Sequence, residues 1–381
     1  METPLPVIAA APAEPAFRSL SPPVWRASTV LFADAQAFLD RKARFFDGYT
    51  YGLAGTPTHR QLERRLAALE EAEYCVLAPS GLGAVNLVNH AFLAAGDHLL
   101  CCDSAYGPTR DNAREVMGRF GVEVEFFDPA EGAALARRLR PTTRLVWIEA
   151  PGSIQMRMAD VPALVRAAAT AGALTAMDNT WATPLGFRPL EHGVDFSVQA
   201  LTKYAGGHSD VLMGCICVRD AAQFRALKTT ANLLGNNVSP DDCALVSRGL
   251  DTLALRLERH GETTLRIAAW LAAQPAVTRV ACPALPQDPG HALWRRDFRS
   301  AGCLCSFWLR HGDRAGVSAV LDRLRVFQIG ASWGGAHSLA AVYPDPAQEG
   351  QFLIRLHCGL EHAALLIADL NQALNPSPPP C

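Results

Sequence analysis

Between about residues 60 and 220, short apolar runs of strand length alternate with helical stretches, and this alternation limits the folds that the chain can adopt. Leu62, Leu66 and Leu69, for example, follow one another at helical spacing just before the first apolar run. Alternating strands and helices favour an α/β fold with a doubly wound, mostly parallel sheet. The seven strand candidates are Cys75–Ala78, His98–Cys102, Val122–Phe127, Leu145–Ile148, Ala173–Met177, Phe196–Ala200 and Cys215–Val218.

After about Gly249 the pattern changes, which predicts a second and smaller α+β domain. A long helical stretch, Leu250–Ala273, is followed by two strand-like runs, Cys303–Leu309 and Phe352–His357, and a last helix, Ala363–Leu374. We expect the start of the chain to be a loose arm and the Pro-rich tail, residues 376–380, to be disordered. The predicted division is an N-terminal arm over residues 1–55, a large domain over 56–249 and a small domain over 250–381.

Composition and charge argue against several classes of protein. The net charge is −2 and no basic block occurs, so we expect no nucleic-acid partner. No apolar run approaches the roughly 18 residues of a membrane span, and no basic residue precedes Arg18, so we expect a cytoplasmic protein. The eleven cysteines include no C-x-x-C pair, which favours buried free thiols over a metal site.

Polar clusters follow several of the predicted strands, where ligands of parallel sheets bind. Because the carboxyl ends of parallel strands meet at one edge, these clusters predict a single site there. They are Pro79-Ser80-Gly81, Asp103–Tyr106, Glu149–Ser153, Asp178–Thr180 and Thr202-Lys203.

Two ionisable residues in these clusters suit a pyridoxal 5′-phosphate (PLP) site. Lys203 ends a buried strand, and apolar surroundings lower the pKa of a lysine toward the neutral amine that forms a Schiff base. Asp178 ends the preceding strand and suits a protonated pyridine nitrogen. The alternatives stay open at this point: a lysine whose amine lies in solvent, and an aspartate that caps a helix.

Two further features fit the same cofactor. Ser80-Gly81-Leu82-Gly83 opens a helix directly after a strand, and such a turn binds phosphate through free N–H groups, although it also serves packing alone. Tyr106 follows another strand and suits stacking on a flat ring, although a loop tyrosine is also ordinary amphipathic surface.

Taken in order, the motifs resemble those of the Cys/Met-metabolism PLP enzymes of fold type I, and within that family most closely the bacterial cystathionine β-lyases. The resemblance runs from about Tyr51 to Leu370. The matching motifs include Tyr106-Gly107-Pro108, Glu149–Ile154, Asp178–Ala182, Thr202-Lys203-Tyr204, Gly207–Asp210, Ser247–Leu250, Ser332–Gly335 and Leu353–His357.

The resemblance implies a role for each matching residue. Lys203 corresponds to the Schiff-base lysine, Asp178 to the partner of the pyridine nitrogen and Tyr106 to the tyrosine that stacks on the ring. Tyr51 corresponds to a tyrosine that a neighbouring subunit supplies to the catalytic site, which implies active-site-sharing dimers within a homotetramer. The remaining matches are Gly81, Leu82 and Thr202 for the phosphate, Arg355 for the substrate carboxylate, and Ser153, Ser332 and Trp333 for the substrate.

Four departures affect the substrate side of the site. Leu53 and Ala54 stand where the family has arginines, one of which contacts the phosphate across the subunit interface. Asn232 replaces an aromatic residue, and Ala331 replaces a tyrosine of the β-lyases that is often glutamate in γ-acting relatives. The expected activity is therefore a carbon–sulfur β-lyase reaction. The alternatives are a γ-elimination or γ-replacement enzyme, a lyase for a non-sulfur amino acid, and a PLP-binding regulator without turnover.

Overall fold

The computed structural model describes residues 19–375 and contains two β-sheets. The first sheet has seven strands in the order β1-β7-β6-β5-β4-β2-β3, and only β7 runs antiparallel to its neighbours. The predicted mostly parallel sheet is confirmed. Its strands are β1 (Tyr74–Ala78), β2 (His98–Cys102), β3 (Glu123–Phe127), β4 (Thr143–Glu149), β5 (Leu174–Asp178), β6 (Phe196–Ala200) and β7 (Gly214–Val218).

The second sheet has five strands in the order β10-β11-β12-β9-β8, whereas the sequence predicted only two. The central strands β9 and β12 are almost wholly buried, and their continuous apolar runs made them visible. The other strands are shorter or partly exposed and lack such runs. The five are β8 (Val277–Ala281), β9 (Leu304–Leu309), β10 (Gln328–Ile329), β11 (Leu339–Pro344) and β12 (Phe352–His357).

Twelve α-helices are present in the described part of the chain. They are α1 (Ala35–Leu39), α2 (Pro57–Glu70), α3 (Gly81–Phe92), α4 (Gly107–Asp111), α5 (Val161–Thr170), α6 (Thr183–Gly186), α7 (Ala221–Leu233), α8 (Pro240–Leu250), α9 (Leu253–Ala272), α10 (His291–Asp297), α11 (Arg314–Leu321) and α12 (Ala363–Leu374). None of them is long and apolar enough to cross a membrane.

Local capping explains where some of these helices begin and end. The Asp160 carboxylate accepts the N–H of Ala163 at 3.1 Å and caps α5, and Gly172 follows the helix with a φ of +67°. The predicted helix from Leu250 to Ala273 was wrong at its start, because a turn at Asp251 and Thr252 separates α8 from α9. The predicted disordered tail and residues 1–18 of the predicted arm lie outside the described residues.

The ten cysteines between residues 19 and 375 are buried and unpaired, as the sequence predicted for this part of the chain. The fold also brings together three of them that the sequence did not connect. Cys75 on β1 lies opposite Cys217 on β7, and with Cys215 their sulfur atoms lie within 4.8 Å of one another.

A buried carboxyl group joins α2 to the first sheet. Glu70 Oε1 accepts hydrogen bonds from the Ser197 hydroxyl at 2.7 Å and from Gln199 Nε2 at 2.8 Å, and both donors lie on β6. Glu70 Oε2 is buried without a hydrogen-bond partner among the described residues. Burial raises the pKa of Glu70 to about 8, because removal from water penalises the charged form.

This raised pKa predicts that Glu70→Gln changes the pH dependence of stability. The folded protein favours protonated Glu70, so the wild type loses stability as the pH rises from about 4.5 toward 8. The glutamine variant has no such proton to lose. We expect similar unfolding free energies for the two proteins at pH 5, and a variant more stable by on the order of 3–5 kcal/mol at pH 9. Urea unfolding at both pH values measures this, and a difference that does not depend on pH would contradict the assignment.

Candidate active site

One cavity of about 410 Å³ opens at the carboxyl edge of the first sheet. Strands β1, β4, β5 and β6 end there, and the second sheet supplies part of the opposite wall through β9, β11 and β12. The cavity brings together nine of the eleven predicted site residues, namely Gly81, Leu82, Tyr106, Ser153, Asp178, Thr202, Lys203, Trp333 and Arg355.

Lys203 lies in the turn that follows β6. Its amine donates a hydrogen bond to the Ser332 hydroxyl at 2.9 Å and lies 5.4 Å from the centre of the Trp333 ring. Burial and, to a smaller extent, the charge of Arg355 lower the pKa of Lys203. The sequence predicted this direction, and the surroundings favour the neutral amine that a reaction with a carbonyl group requires.

Of the three lysines in the chain, only Lys203 lines the cavity. The chain contains three lysines, of which Lys42 is exposed and Lys228 is buried beside Glu63, with 3.5 Å between amine and carboxylate. Neither lines the cavity. Covalent attachment of a carbonyl compound at this site therefore has one candidate residue.

Asp178 ends β5 and lines the cavity beside Lys203. Its carboxylate accepts the N–H of Thr180 at 3.0 Å and forms no ion pair with any residue in the range 19–375. Burial raises its pKa. A partly buried carboxyl group without a cationic partner among the described residues is suited to the protonated nitrogen of a bound ring.

The start of α3 lines another side of the cavity and is suited to an anion. The Ser80 hydroxyl accepts the N–H of Gly83 at 2.9 Å, and the first-turn N–H groups of a helix have no acceptor within the helix. A Cβ on Gly81 would lie 2.5 Å from the Cβ of Ala200, so the turn needs glycine to approach β6 this closely. The Thr202 hydroxyl lines the cavity but exchanges hydrogen bonds with the backbone of Met213, at 3.2 and 3.1 Å.

Arg355 reaches the cavity from β12 and is held in place by two acceptors. One guanidinium nitrogen donates to the carbonyl of Ser153 at 2.9 Å, and the other donates to the hydroxyl of Tyr343 at 2.7 Å. The predicted Ser153 thus contributes its backbone to this arrangement. Sequence reasoning missed Tyr343, because β11 was not predicted and the β11–β12 register that brings the two side chains together is invisible in the sequence.

Glu149 is a second residue whose role the sequence did not reveal. It ends β4, and its carboxylate accepts the N–H of Tyr106 at 2.6 Å. Burial, together with the negative charge of Asp178, raises the pKa of Glu149 well above its ordinary value. Its place at the end of a predicted strand was the available signal, and its contact fixes the loop that carries Tyr106.

Of the remaining positions that the sequence singled out, Ala331 lines the cavity and Ser332 lies beside it, whereas the other four lie elsewhere. Ser332 is present as the acceptor for Lys203. Tyr51 lines a separate depression near Arg26 and Pro240, and its side chain is 55% exposed. Leu53, Ala54 and Asn232 line a further small cavity beside Glu63. Within one chain, these four residues are not part of the Lys203 cavity.

The residues of the cavity fit PLP in four independent respects. They provide an amine for its aldehyde, a partly buried carboxyl group for its ring nitrogen and a helix start for its phosphate. They also provide Tyr106, a half-exposed aromatic ring at the cavity wall.

Comparison with known proteins agrees with this geometry. The family model described as "Cys/Met metabolism PLP-dependent enzyme" matches residues 6–375. Cystathionine beta-lyase from Bordetella avium is 42% identical over 364 residues, which cover 93% of this chain and 91% of that protein. Cystathionine beta-lyase MetC from Escherichia coli K12 is 40% identical over 362 residues, which cover 91% of each chain. A crystal structure of cystathionine gamma synthase from Xanthomonas oryzae pv. oryzae, in complex with aminoacrylate and cysteine, superposes with a TM-score of 0.87. It is 34% identical and covers 95% of this chain and 94% of that one.

We expect Lys203→Ala to lose covalent attachment of the cofactor, because neither of the other two lysines lines the cavity. Borohydride treatment of PLP-loaded protein, followed by peptide mass analysis, should label Lys203 in the wild type and no lysine in the variant. Lys42→Ala is the matched control, since Lys42 is exposed and outside the cavity, and it should keep both the visible absorbance and the label. A reducible chromophore that survives in Lys203→Ala would show that the attachment site is wrong.

Proposed function

Because the chain belongs to the Cys/Met metabolism PLP-dependent enzymes, its cofactor is PLP, and we propose that it is a carbon–sulfur β-lyase. It would convert cystathionine or a related sulfur amino acid to pyruvate, ammonia and a thiol. The observation that carries the proposal is the convergence of Lys203, Asp178 and Arg355 on one cavity. The cystathionine β-lyase relatives, at 40% and 42% identity, support the choice of reaction.

Different side chains of the cavity would carry out different steps of such a reaction. Arg355 binds the α-carboxylate of the substrate, and its two protein acceptors fix the plane of the guanidinium. When bound, PLP supplies a conjugated ring that accepts the electron pair released when the Cα–H bond breaks. Lys203 removes the Cα proton as a neutral amine, and Asp178 keeps the proton on the ring nitrogen. The sulfur on Cβ then leaves as a thiolate.

We also propose that the chain acts in the cytoplasm as a homotetramer built from active-site-sharing dimers. In this arrangement Tyr51 of each chain would complete the site of its neighbour. The support is that Tyr51 is more than half exposed and lies outside the Lys203 cavity of its own chain.

A γ-elimination or γ-replacement reaction is the second candidate. The same cavity would suit it if Lys203 also moved protons at Cβ and Cγ. One observation favours it, namely the TM-score of 0.87 with a cystathionine γ-synthase.

A paired measurement of ketoacids tests the proposed reaction. The PLP-loaded enzyme is incubated with a panel of sulfur amino acids that includes cystathionine, and pyruvate and 2-oxobutyrate are quantified together. We expect pyruvate as the main ketoacid, because cleavage at Cβ leaves a three-carbon product. Mainly 2-oxobutyrate would identify a γ-acting enzyme, and the absence of both from the whole panel would leave a lyase for a non-sulfur amino acid or a regulator without turnover.

Replacing the planar guanidinium of Arg355 should weaken substrate binding without disturbing the cofactor. Arg355→Lys keeps the charge but loses the planar pair of donors, so we expect KM to rise roughly 10- to 100-fold. The visible absorbance of the bound cofactor should not change. Tyr343→Phe removes only one acceptor of Arg355 and should raise KM by a smaller factor. An unaltered KM in Arg355→Lys would mean that the carboxylate is bound elsewhere.

A further inference from the structure

We infer that the preferred substrate carries an uncharged, apolar group on sulfur, and that cystathionine, with a second amino and carboxylate pair, is a poorer substrate. This inference rests on the proposed β-lyase reaction and concerns the part of the cavity that the reaction itself does not use.

The first argument concerns the number of charged side chains that line the cavity and the role of each. Four charged side chains line the cavity: Glu149, Asp178, Lys203 and Arg355. In the proposed reaction the last three are engaged by the cofactor and the α-carboxylate. Glu149 is 8% exposed, and its carboxylate accepts a hydrogen bond from the backbone N–H of Tyr106. No lining charge is left for a distal ammonium or a distal carboxylate.

The second argument is the apolar character of the cavity wall outside the expected cofactor and α-carboxylate sites. Apolar side chains form much of it, and at its mouth Leu212 is 69% exposed. A charged group buried against such a wall loses hydration without gaining a partner, whereas an alkyl group gains about 25 cal/mol for each Å² removed from water. Apart from the start of α3, which is expected to bind the phosphate, the apolar lining residues include Ile154, Leu212, Leu304 and Ala331.

The third argument concerns the segment around Tyr51 that the proposed dimer would bring to the cavity. Residues 48–58 read Gly-Tyr-Thr-Tyr-Gly-Leu-Ala-Gly-Thr-Pro-Thr and contain no charged side chain. A neighbouring chain therefore adds hydroxyl and apolar groups through this segment, but no cation or anion. Arg110 on α4 follows the lining residue Thr109, yet is not itself among the lining residues.

The test compares two substrates that differ in the charges of the leaving group. S-butyl-L-cysteine has the four-carbon chain of the cystathionine leaving group without its amino and carboxylate groups. With PLP-saturated enzyme, we expect kcat/KM for pyruvate formation to be at least tenfold higher for S-butyl-L-cysteine. Equal values, or a preference for cystathionine, would overturn the inference and leave the β-lyase proposal intact. No pyruvate from either substrate would overturn both.

A pair of variants tests whether the wall at Ala331 faces the sulfur substituent. Ala331 lines the cavity and is exposed, so a longer side chain has room there. Ala331→Glu adds a carboxylate for the distal ammonium, and Ala331→Gln adds the same volume without charge. We expect the ratio of kcat/KM for cystathionine to that for S-butyl-L-cysteine to be at least tenfold higher in the glutamate variant than in the glutamine variant. Equal ratios would overturn the assignment of this wall to the sulfur substituent.

If the wild type prefers cystathionine and Arg110→Ala removes that preference, Arg110 binds the distal group and the inference is wrong.

Discussion

The close contact between the turn after β1 and the two strands beneath it is the constraint on which the site depends. A Cβ on Gly214, at the start of β7, would lie 2.3 Å from the carbonyl oxygen of Ser80, and one on Gly81 would meet Ala200 at 2.5 Å. These contacts allow the start of α3 to sit directly against the end of β6. Lys203 follows that strand, so the backbone holds the start of α3 and the turn that carries the lysine next to each other.

The second sheet acts on the cavity through similar contacts. Gly334, with a φ of +82°, passes so close to the chain at Lys203 that a Cβ there would lie 2.8 Å from the backbone nitrogen of Tyr204. This places Ser332 within hydrogen-bond distance of the lysine amine. Arg355 closes the wall through its contact with Ser153, which belongs to the loop after β4. The protein groups proposed to bind the cofactor and the substrate thus come from two sheets that are in contact at the cavity.

The sequence predicted the first sheet well, because buried parallel strands are continuous apolar runs and polar residues stand out at their ends. Lys203 and Asp178 were found in this way, and the adjacency of β5 and β6 brings them together as expected. The second sheet was less predictable, since its partly exposed strands lack such runs. Tyr343 was missed for this reason, and the contact between Glu149 and Tyr106 joins residues 43 positions apart that no local pattern connects. The role proposed for Tyr51 is a property of an assembly, because it depends on a contact between two chains.

In the proposed reaction, chemistry and substrate preference are set by different parts of this chain. The groups proposed to bind PLP and to move protons stand at strand ends, where the backbone allows little change. The groups proposed to surround the sulfur substituent stand on loops and at the cavity mouth, as Leu212 and Ala331 do, and loops accept substitution more readily than strands. Every charge in the cavity already has a partner or a task in the proposed reaction. A second charge on the substrate would therefore require a new residue on one of these loops, while a change in an uncharged substituent requires only a change in the volume of the wall.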